Sequence, residues 1–560
     1  MNWLSDEQLN SLNKDALIIL FSSMQAQLAS SQDQLAFMKK QLDDANAMIA
    51  ENNHQIELLV EQIRIMNQRQ FGRKSESRLS GDDGQITLFD FFNEAELLVK
   101  EDLKEPEIEE VVISSYRRSK RKNKREEDLD GLPARIIEHK LSDEELTALF
   151  PEGYKELPEE IYKRLHIIPE TFLVDEHHVH VYASKNNSGI IRRAPRPKDL
   201  FRNSIATPAL LASIINGKFA NALPLERQSK AFKTNGINLS TNTLANWVIK
   251  GTEDYLSLMF DRLHEYIYNN HIIHADETPV KVMRIDGKKL ANGKQTYMWV
   301  YRNRPSGESP PIILFDWQPS RKADHPREFL KDFSGTVVTD GYQVYHTLSN
   351  ERQDLNVAGC WIHARRPYAE FIKSINSRDA ANGSIAQQAY DMITEMMHID
   401  NDYDDLPSED RKNQRQLVLK DKVDAYFEWV KYKYTQVAHN GATGKALAYS
   451  INQEQYLRRF LDDGDIPMDN NLAEQAIRPF TIGRKNFVLI NTDHGARASA
   501  MLYSLVETAK ANNLNPFKYF EMLLSVIPQH VDDKNRKFLD ALLPWSPVVQ
   551  ENCKSMKKKS

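Results

Sequence analysis

Six apolar residues spaced seven apart, Leu28, Leu35, Leu42, Ile49, Ile56 and Ile63, constrain this chain more than any other feature. Met24, Met38, Ala45, Leu59 and Met66 fill the second seam of the same repeat, and Ser31 and Asn52 interrupt it as register-setting polar residues do. A hydrophobic period of seven sustained this long keeps one stripe facing a partner helix only if the helices supercoil. The repeat therefore predicts a coiled coil, dimeric, within an oligomerisation region over 1–80. The alternative is one long helix packed onto its own chain.

A chain of 560 residues exceeds what one hydrophobic core serves, so several domains are expected, and 41% apolar with 27% charged residues is ordinary for globular protein. The start, MNWLSDEQLN, lacks the basic and apolar blocks of a secretory signal, and no apolar run approaches the roughly 18 residues of a membrane span. The expectation is a cytoplasmic protein with no membrane partner. Two cysteines, Cys360 and Cys553, exclude a disulfide framework and any all-cysteine zinc site within one chain.

The net charge of −6 means that any contact with nucleic acid rests on local basic clusters. Two are present, Arg69 to Arg78 and Tyr116 to Arg125, the latter with seven basic residues in ten. The second lies in a charged linker over 81–132, where a solvated charge run and a phosphate-tracking segment are equally good readings. Over 133–200, short apolar runs such as Thr171–Val174 and Val179–Tyr182 predict a small strand-containing domain. From 201 to 265 the pattern is helical. Leu225 to Val248 reads as helix, turn at Asn235-Gly236, and a second helix capped by Ser240 or Thr241, either a helix-turn-helix or a plain helical hairpin.

From His271 the period changes. HIIHADETPVKV, QTYMWVYRNR and PPIILFDWQ predict three antiparallel strands, followed by a helix over Lys322–Phe333, a strand GTVVTDGYQVY and a fifth strand LNVAGCWIH. That order is the order of an RNase H-like α/β core, here over 266–530 with a helical insertion over about 366–464 and a tail over 531–560. Asp276 lies on the first strand and Asp340 at the end of the fourth, before Gly341. Two carboxylates on neighbouring strands repel one another unless a hard divalent cation neutralises them. A third, Glu474, opens a later helix in Asp469-Asn-Asn-Leu-Ala-Glu474, with Arg478 one turn on and Arg484 and Lys485 beyond.

At these residues the chain resembles the insertion sequence 66 family of transposases, a member of the DDE class. The likeness runs from the coiled coil and Phe71-Gly-Arg-Lys-Ser-Glu76 through Leu223–Gln228, His274-Ala-Asp-Glu-Thr-Pro279, Thr339-Asp-Gly-Tyr342 and Gly359–Arg366. It continues through Asp469–Pro479 and Ile482–Phe487 to Leu542-Leu-Pro-Trp545. The resemblance implies a metal-dependent DNA cleavage and strand-transfer enzyme with Asp276, Asp340 and Glu474 as catalytic triad and ligands of two magnesium or manganese ions. Glu277 points to the opposite face of its strand from Asp276, which makes Asp276 the first ligand. Tyr342, Arg478, Arg484 and Lys485 are the candidates for positioning phosphates. Cys360 and His363 form the C-x-x-H pair seen in related transposases, and a buried cysteine beside a hydrogen-bonded histidine is the competing account. The partners implied are double-stranded DNA, both terminal inverted repeats and target, a second copy of the chain, and accessory proteins of the same element. Family members carry a cysteine-rich zinc segment before the helical region; Ile136–Arg202 has no cysteine, so no zinc is assigned. Competing readings are a nuclease or resolvase on the same core, which cuts without joining, and a DNA-binding regulator descended from a transposase.

Overall fold

The computed structural model describes residues 151–152, 171–183, 191–195 and 198–555, apart from 292–293, 306–308 and 375–382, together with a few single residues between 22 and 39. The heptad stretch lies outside the described residues save for Gln25, Gln32 and Lys39, which are helical, and both basic clusters lie outside them altogether. What is described is a mixed α/β chain in two compact units, one containing residues 263–500 and the other 171–262 with 501–555.

In the second unit, Thr171–Val174 belong to no strand, and Leu173 and Val174 are exposed; among the described residues of this region the strands are β1 (Val181–Ala183) and β2 (Ile191–Arg193), paired antiparallel. The helical part holds α1 (Pro208–Ile215), α2 (Leu225–Thr234) and α3 (Thr241–Gly251). Gly236 turns between α2 and α3 at φ +82°, a conformation that costs a residue without Cβ little, and Ser240 caps α3 by accepting from Thr243 N–H at 3.1 Å.

The core unit is built on a five-stranded sheet. Its chain-order strands are β3 (Ile272–Val280), β4 (Val282–Ile285), β5 (Lys288–Lys289), β6 (Thr296–Asn303), β7 (Ile313–Gln318), β8 (Gly335–Thr339) and β9 (Leu355–Gly359). The large sheet runs β7-β6-β3-β8-β9; β4 and β5 pair with the later β10 (Ile490–Thr492) in a small sheet of their own. β6 pairs antiparallel with both β3 and β7, whereas β3-β8 and β8-β9 are parallel. Parallel strands need crossovers, supplied by α4 (Asp324–Phe329) before β8 and α5 (Gln343–Glu351) before β9. β6 and β8 are almost wholly buried, as continuous β-branched and aromatic runs covered on both faces should be.

After β9 the chain forms a helical subdomain from α6 (Trp361–Ser374), α7 (Ile385–Asn401), α8 (Lys420–Tyr434) and α9 (Ala442–Leu457). Trp361, Tyr368, Tyr390, Tyr426, Phe427, Leu447 and Phe460 form its core. Trp361 donates its indole N–H to the Leu457 carbonyl at 2.9 Å, so the largest apolar ring in the cluster leaves no buried donor unmet. The chain then re-enters the sheet region through α10 (Asn471–Phe487).

The sequence pattern places a core domain over 266–530 and a tail over 531–560. The core unit ends near 500, and α11 (Pro516–Val526) packs on α1. Leu539, Leu542, Leu543, Val549 and Cys553 are buried and Arg262 pairs with Asp540 at 2.7 Å, because helically spaced apolar residues in this stretch complete the core of the second unit.

Candidate functional site

β3 and β8 bring the two aspartates together. Their last paired residues are His274 and Val338, and Asp276 and Asp340 each stand two positions further along. Asp340 is followed by Gly341 at φ +93°, where a Cβ would stand 2.8 Å from the Tyr449 hydroxyl. That hydroxyl donates to the Asp340 carbonyl at 2.7 Å, so a residue of the helical subdomain holds the turn. The Asp340 carboxylate accepts from the Tyr342 N–H at 3.2 Å.

Glu474 arrives through a different set of contacts. Asp469 makes the turn into α10 by accepting from Asn471 N–H at 2.9 Å. Asn470, at the N-cap position, spends its side chain on β3 instead: its amide donates to the Ala275 carbonyl at 2.9 Å and its oxygen lies 3.0 Å from His274 Nδ1. The Asn470 N–H points at the Cys360 sulfur at 3.3 Å, and Trp361 N–H donates to the Met468 carbonyl at 2.8 Å. Burial pushes the Cys360 thiol up to about 12 and His274 down to about 3, so both are neutral pins between β3, the end of β9 and α10.

Asp276, Glu474, His363, Arg366, Ile477 and Arg478 line one pocket of about 310 Å³. Burial pushes the Asp276 carboxyl up to about 8, and the charges of Glu277, Asp340 and Glu474 push the same way. Glu474 lies 3.2 Å from the Arg366 guanidinium and 3.7 Å from His363 Nε2, and these two α6 side chains are themselves 3.1 Å apart. Arg484 is directed elsewhere, to the Thr278 hydroxyl at 3.1 Å and the Pro279 carbonyl at the end of β3, and Lys485 is exposed; neither lines the pocket. Tyr342 is outside the pocket lining as well, its hydroxyl donating to the Arg321 carbonyl at 2.6 Å. Glu277 is turned to Arg321, whose Nε donates at 2.8 Å and whose Nη2 also reaches the same oxygen.

Residues 203–498, more than half the chain, match the family model described as "Transposase IS66 family". The chain belongs to that family. Residues 504–545 match "IS66 C-terminal element", the stretch that the fold places in the second unit, and 58–137 match "Transposase C of IS166 homeodomain", across the expected coiled-coil end and charged linker. Similar relatives come from Sinorhizobium fredii (strain NBRC 101917 / NGR234). The uncharacterized protein y4qI is 27% identical over 95% of this chain and 96% of its own length, and y4jD is 30% identical over 65% and 71%. No helix among the described residues is long and apolar enough to cross a membrane.

Transposases of the DDE class use divalent metal, and the carboxylates of Asp276 and Glu474 on this pocket wall, the first forced toward its neutral form by burial and like charge, make a setting that suits a hard cation. The three carboxylates are not drawn tightly together. Among the described residues, the triple whose ligand atoms all lie within 4.8 Å of one another is His271, Asp463 and Asp465, an accessible group in which His271 lies 3.2 Å from Asp465. We read that triple as a surface ion-pair cluster, because it has neither the burial nor the enforced like-charge repulsion of the pocket. His274, Asn470, Arg366 and Arg321 escaped the sequence reading. Each stands in or beside a motif that was read, but its partner is far away in the chain.

Proposed function

We propose that this IS66-family chain cleaves the strand ends of an insertion sequence and transfers them into target DNA, using Asp276, Asp340 and Glu474 as its catalytic carboxylates on an RNase H-like core. The observation that carries the reading is the meeting of Asp276 and Glu474 in one pocket, with Asp340 beside Asp276 at the ends of two parallel strands. The sheet order, with three antiparallel strands followed by two parallel ones, supports the same core.

Magnesium or manganese, two ions held by the three carboxylates, would supply an activated attacking oxygen and charge stabilisation of the leaving oxygen. The protein's own residues set the stage. Asn470 and His274 fix where α10 presents Glu474, Tyr449 and Gly341 fix the Asp340 turn, and Arg366 and His363 hold the Glu474 carboxylate. Arg478, on the pocket wall, is placed to meet a DNA phosphate. α2 and α3 would recognise the terminal repeats, the heptad region would pair two copies so that two DNA ends meet, and the chain would work in the bacterial cytoplasm on the nucleoid.

The test is transposition of a marked element carrying the ends that flank this coding sequence, with Asp276→Ala, Asp340→Ala and Glu474→Ala compared with the wild type. Abolished transposition with retained end binding in all three supports the triad. Unchanged transposition in any one removes that residue from the site, and cleavage without joining by the wild type indicates a nuclease or resolvase instead.

A further inference from the structure

Arg321, in the loop between β7 and α4, lies within reach of the Asp340 charge, and several ties fix its position. Its guanidinium carbon lies 3.8 Å from the centre of the Tyr342 ring. The Tyr342 hydroxyl closes a second tie, on the Arg321 carbonyl at 2.6 Å. Nε and Nη2 bond one oxygen of Glu277, whose side chain is only 2% exposed, and the other Glu277 oxygen is buried with no partner. Tyr342 is bonded in turn to the Asp340 carboxylate through its N–H. The Arg321 side chain nevertheless remains 41% exposed, and its Nη1 has no acceptor among the described residues.

An arginine needed only to neutralise Glu277 would require neither the ring beneath it nor an open outer edge. Stacking and the Glu277 bonds leave a planar fork with free N–H groups beside a catalytic carboxylate, the arrangement that suits a phosphodiester oxygen. Adjacent residues of a strand face opposite sides of the sheet, so Glu277 and Arg321 approach from the face opposite Asp276, and they meet the site at the strand end, where the Asp340 charge acts on both.

We propose that Arg321, oriented by Glu277 and Tyr342, contacts a backbone phosphate of the DNA strand that enters the carboxylate site, flanking the phosphate that reacts. The proposal rests on the reading of that site given above. Arg321 touches the substrate, while Glu277 is a positioning residue that holds the guanidinium from behind.

The test uses the full chain and a fluorescein-labelled duplex oligonucleotide of arbitrary sequence, with binding followed by anisotropy in calcium over a range of salt concentrations. Loss of one phosphate contact should make the slope of log affinity against log salt shallower by about 0.9 in Arg321→Ala, with affinity down about tenfold. Arg321→Lys should keep the slope. Arg321→Gln preserves a hydrogen bond to Glu277 while removing the charge, so it reads the same contact should the alanine variant melt early. Glu277→Gln should weaken affinity less than Arg321→Ala and leave the slope unchanged, since the positive charge stays. An unchanged slope in both Arg321→Ala and Arg321→Gln overturns the proposal. Manganese-dependent cleavage by Asp276→Ala and Glu474→Ala is measured alongside. If those variants still cut, the underlying site assignment fails; if they are inactive and the Arg321 slopes are unchanged, only the phosphate contact fails.

Discussion

His274 Nδ1 lies 3.0 Å from Asn470 Oδ1, joining the first strand of the sheet to the start of the helix that carries Glu474 across 196 residues of chain. The same Asn470 side chain donates to the Ala275 carbonyl, one residue before Asp276. Two catalytic candidates on separate elements are thus tied through one amide. Asn470→Ala leaves a buried imidazole nitrogen and a buried carbonyl without that partner, each costing about 1–3 kcal/mol. We expect a drop of about 2 kcal/mol in urea unfolding and loss of metal-dependent DNA cleavage, because Glu474 no longer has a fixed station over Asp276. Cleavage at the wild-type rate in a destabilised Asn470→Ala protein would show that the tie serves stability alone.

On the proposed assignment of Glu474 as a metal ligand, Arg366 competes with the metal for it. The pair is 3.2 Å apart and both side chains are partly exposed, so its worth is that of a screened ion pair, about 0.2–1 kcal/mol. Removing the guanidinium in Arg366→Ala should tighten manganese binding by about two- to fivefold in isothermal titration. The change should vanish in an Arg366→Ala, Glu474→Gln double variant. Weaker binding in the single variant would mean that Arg366 orients Glu474 for metal.

The Asp276 carboxyl stands at about 8 in the fold and near its ordinary value of about 4 when unfolded. Its folded pKa is raised, so the folded state binds this proton more tightly, and the resulting stability is present at low pH and lost as pH climbs from about 4 through 8. Without metal, the melting temperature should therefore carry a declining contribution across this window, absent in Asp276→Asn. Metal binding displaces the proton, so manganese affinity should rise with pH up to about 8 and then level off. A metal affinity independent of pH between 6 and 8 contradicts the assignment of Asp276 as a ligand.

The central parts of the core-sheet strands, the α2-turn-α3 hairpin and the Ser240 cap were legible because each rests on a local pattern, whereas Thr171–Val174 belongs to no strand and Gln343–Tyr345, expected in the fourth strand, opens α5. The proximity of Asp276 and Asp340 followed from strand order. What the pattern left out was carried by long-range pairing. Glu277 and Arg321 are 44 positions apart and Glu474 and Arg366 are 108 apart, and nothing local in either arginine's surroundings announces a carboxylate partner. The i,i+4 spacing of Glu474 and Arg478 drew attention to the helix's own cation, whereas the helical subdomain supplies another, Arg366, with the His363 imidazole beside it. Residues 531–555 carry apolar residues at about the chain's ordinary frequency, and the core they close begins some 300 residues earlier, at α1, which no local pattern announces.

The loop leading to α10 hangs on one buried arginine. Arg415 is fully buried; its Nε and Nη2 meet Asp400 at 2.6 and 2.9 Å, and its Nη1 reaches the carbonyls of Phe460, Asp463 and Ile466 at 2.8 to 2.9 Å. Asp400 also accepts from Arg411 at 2.8 Å. Breaking such a network from one side leaves Asp400 with Arg411 alone and strands several carbonyls in low dielectric, a loss of about 3–5 kcal/mol. Arg415→Met should therefore be strongly destabilising, whereas the Arg415→Met, Asp400→Leu pair should recover part of the loss by removing a buried carboxylate while Arg411 keeps its pair with Asp404. The carbonyls of residues 460–466 stay unmet in both variants, so metal-dependent cleavage should remain impaired in the double variant even where folding recovers, because the turn before Asn470 has lost its anchor. Full recovery of cleavage along with stability would confine Arg415 to the core of the helical subdomain.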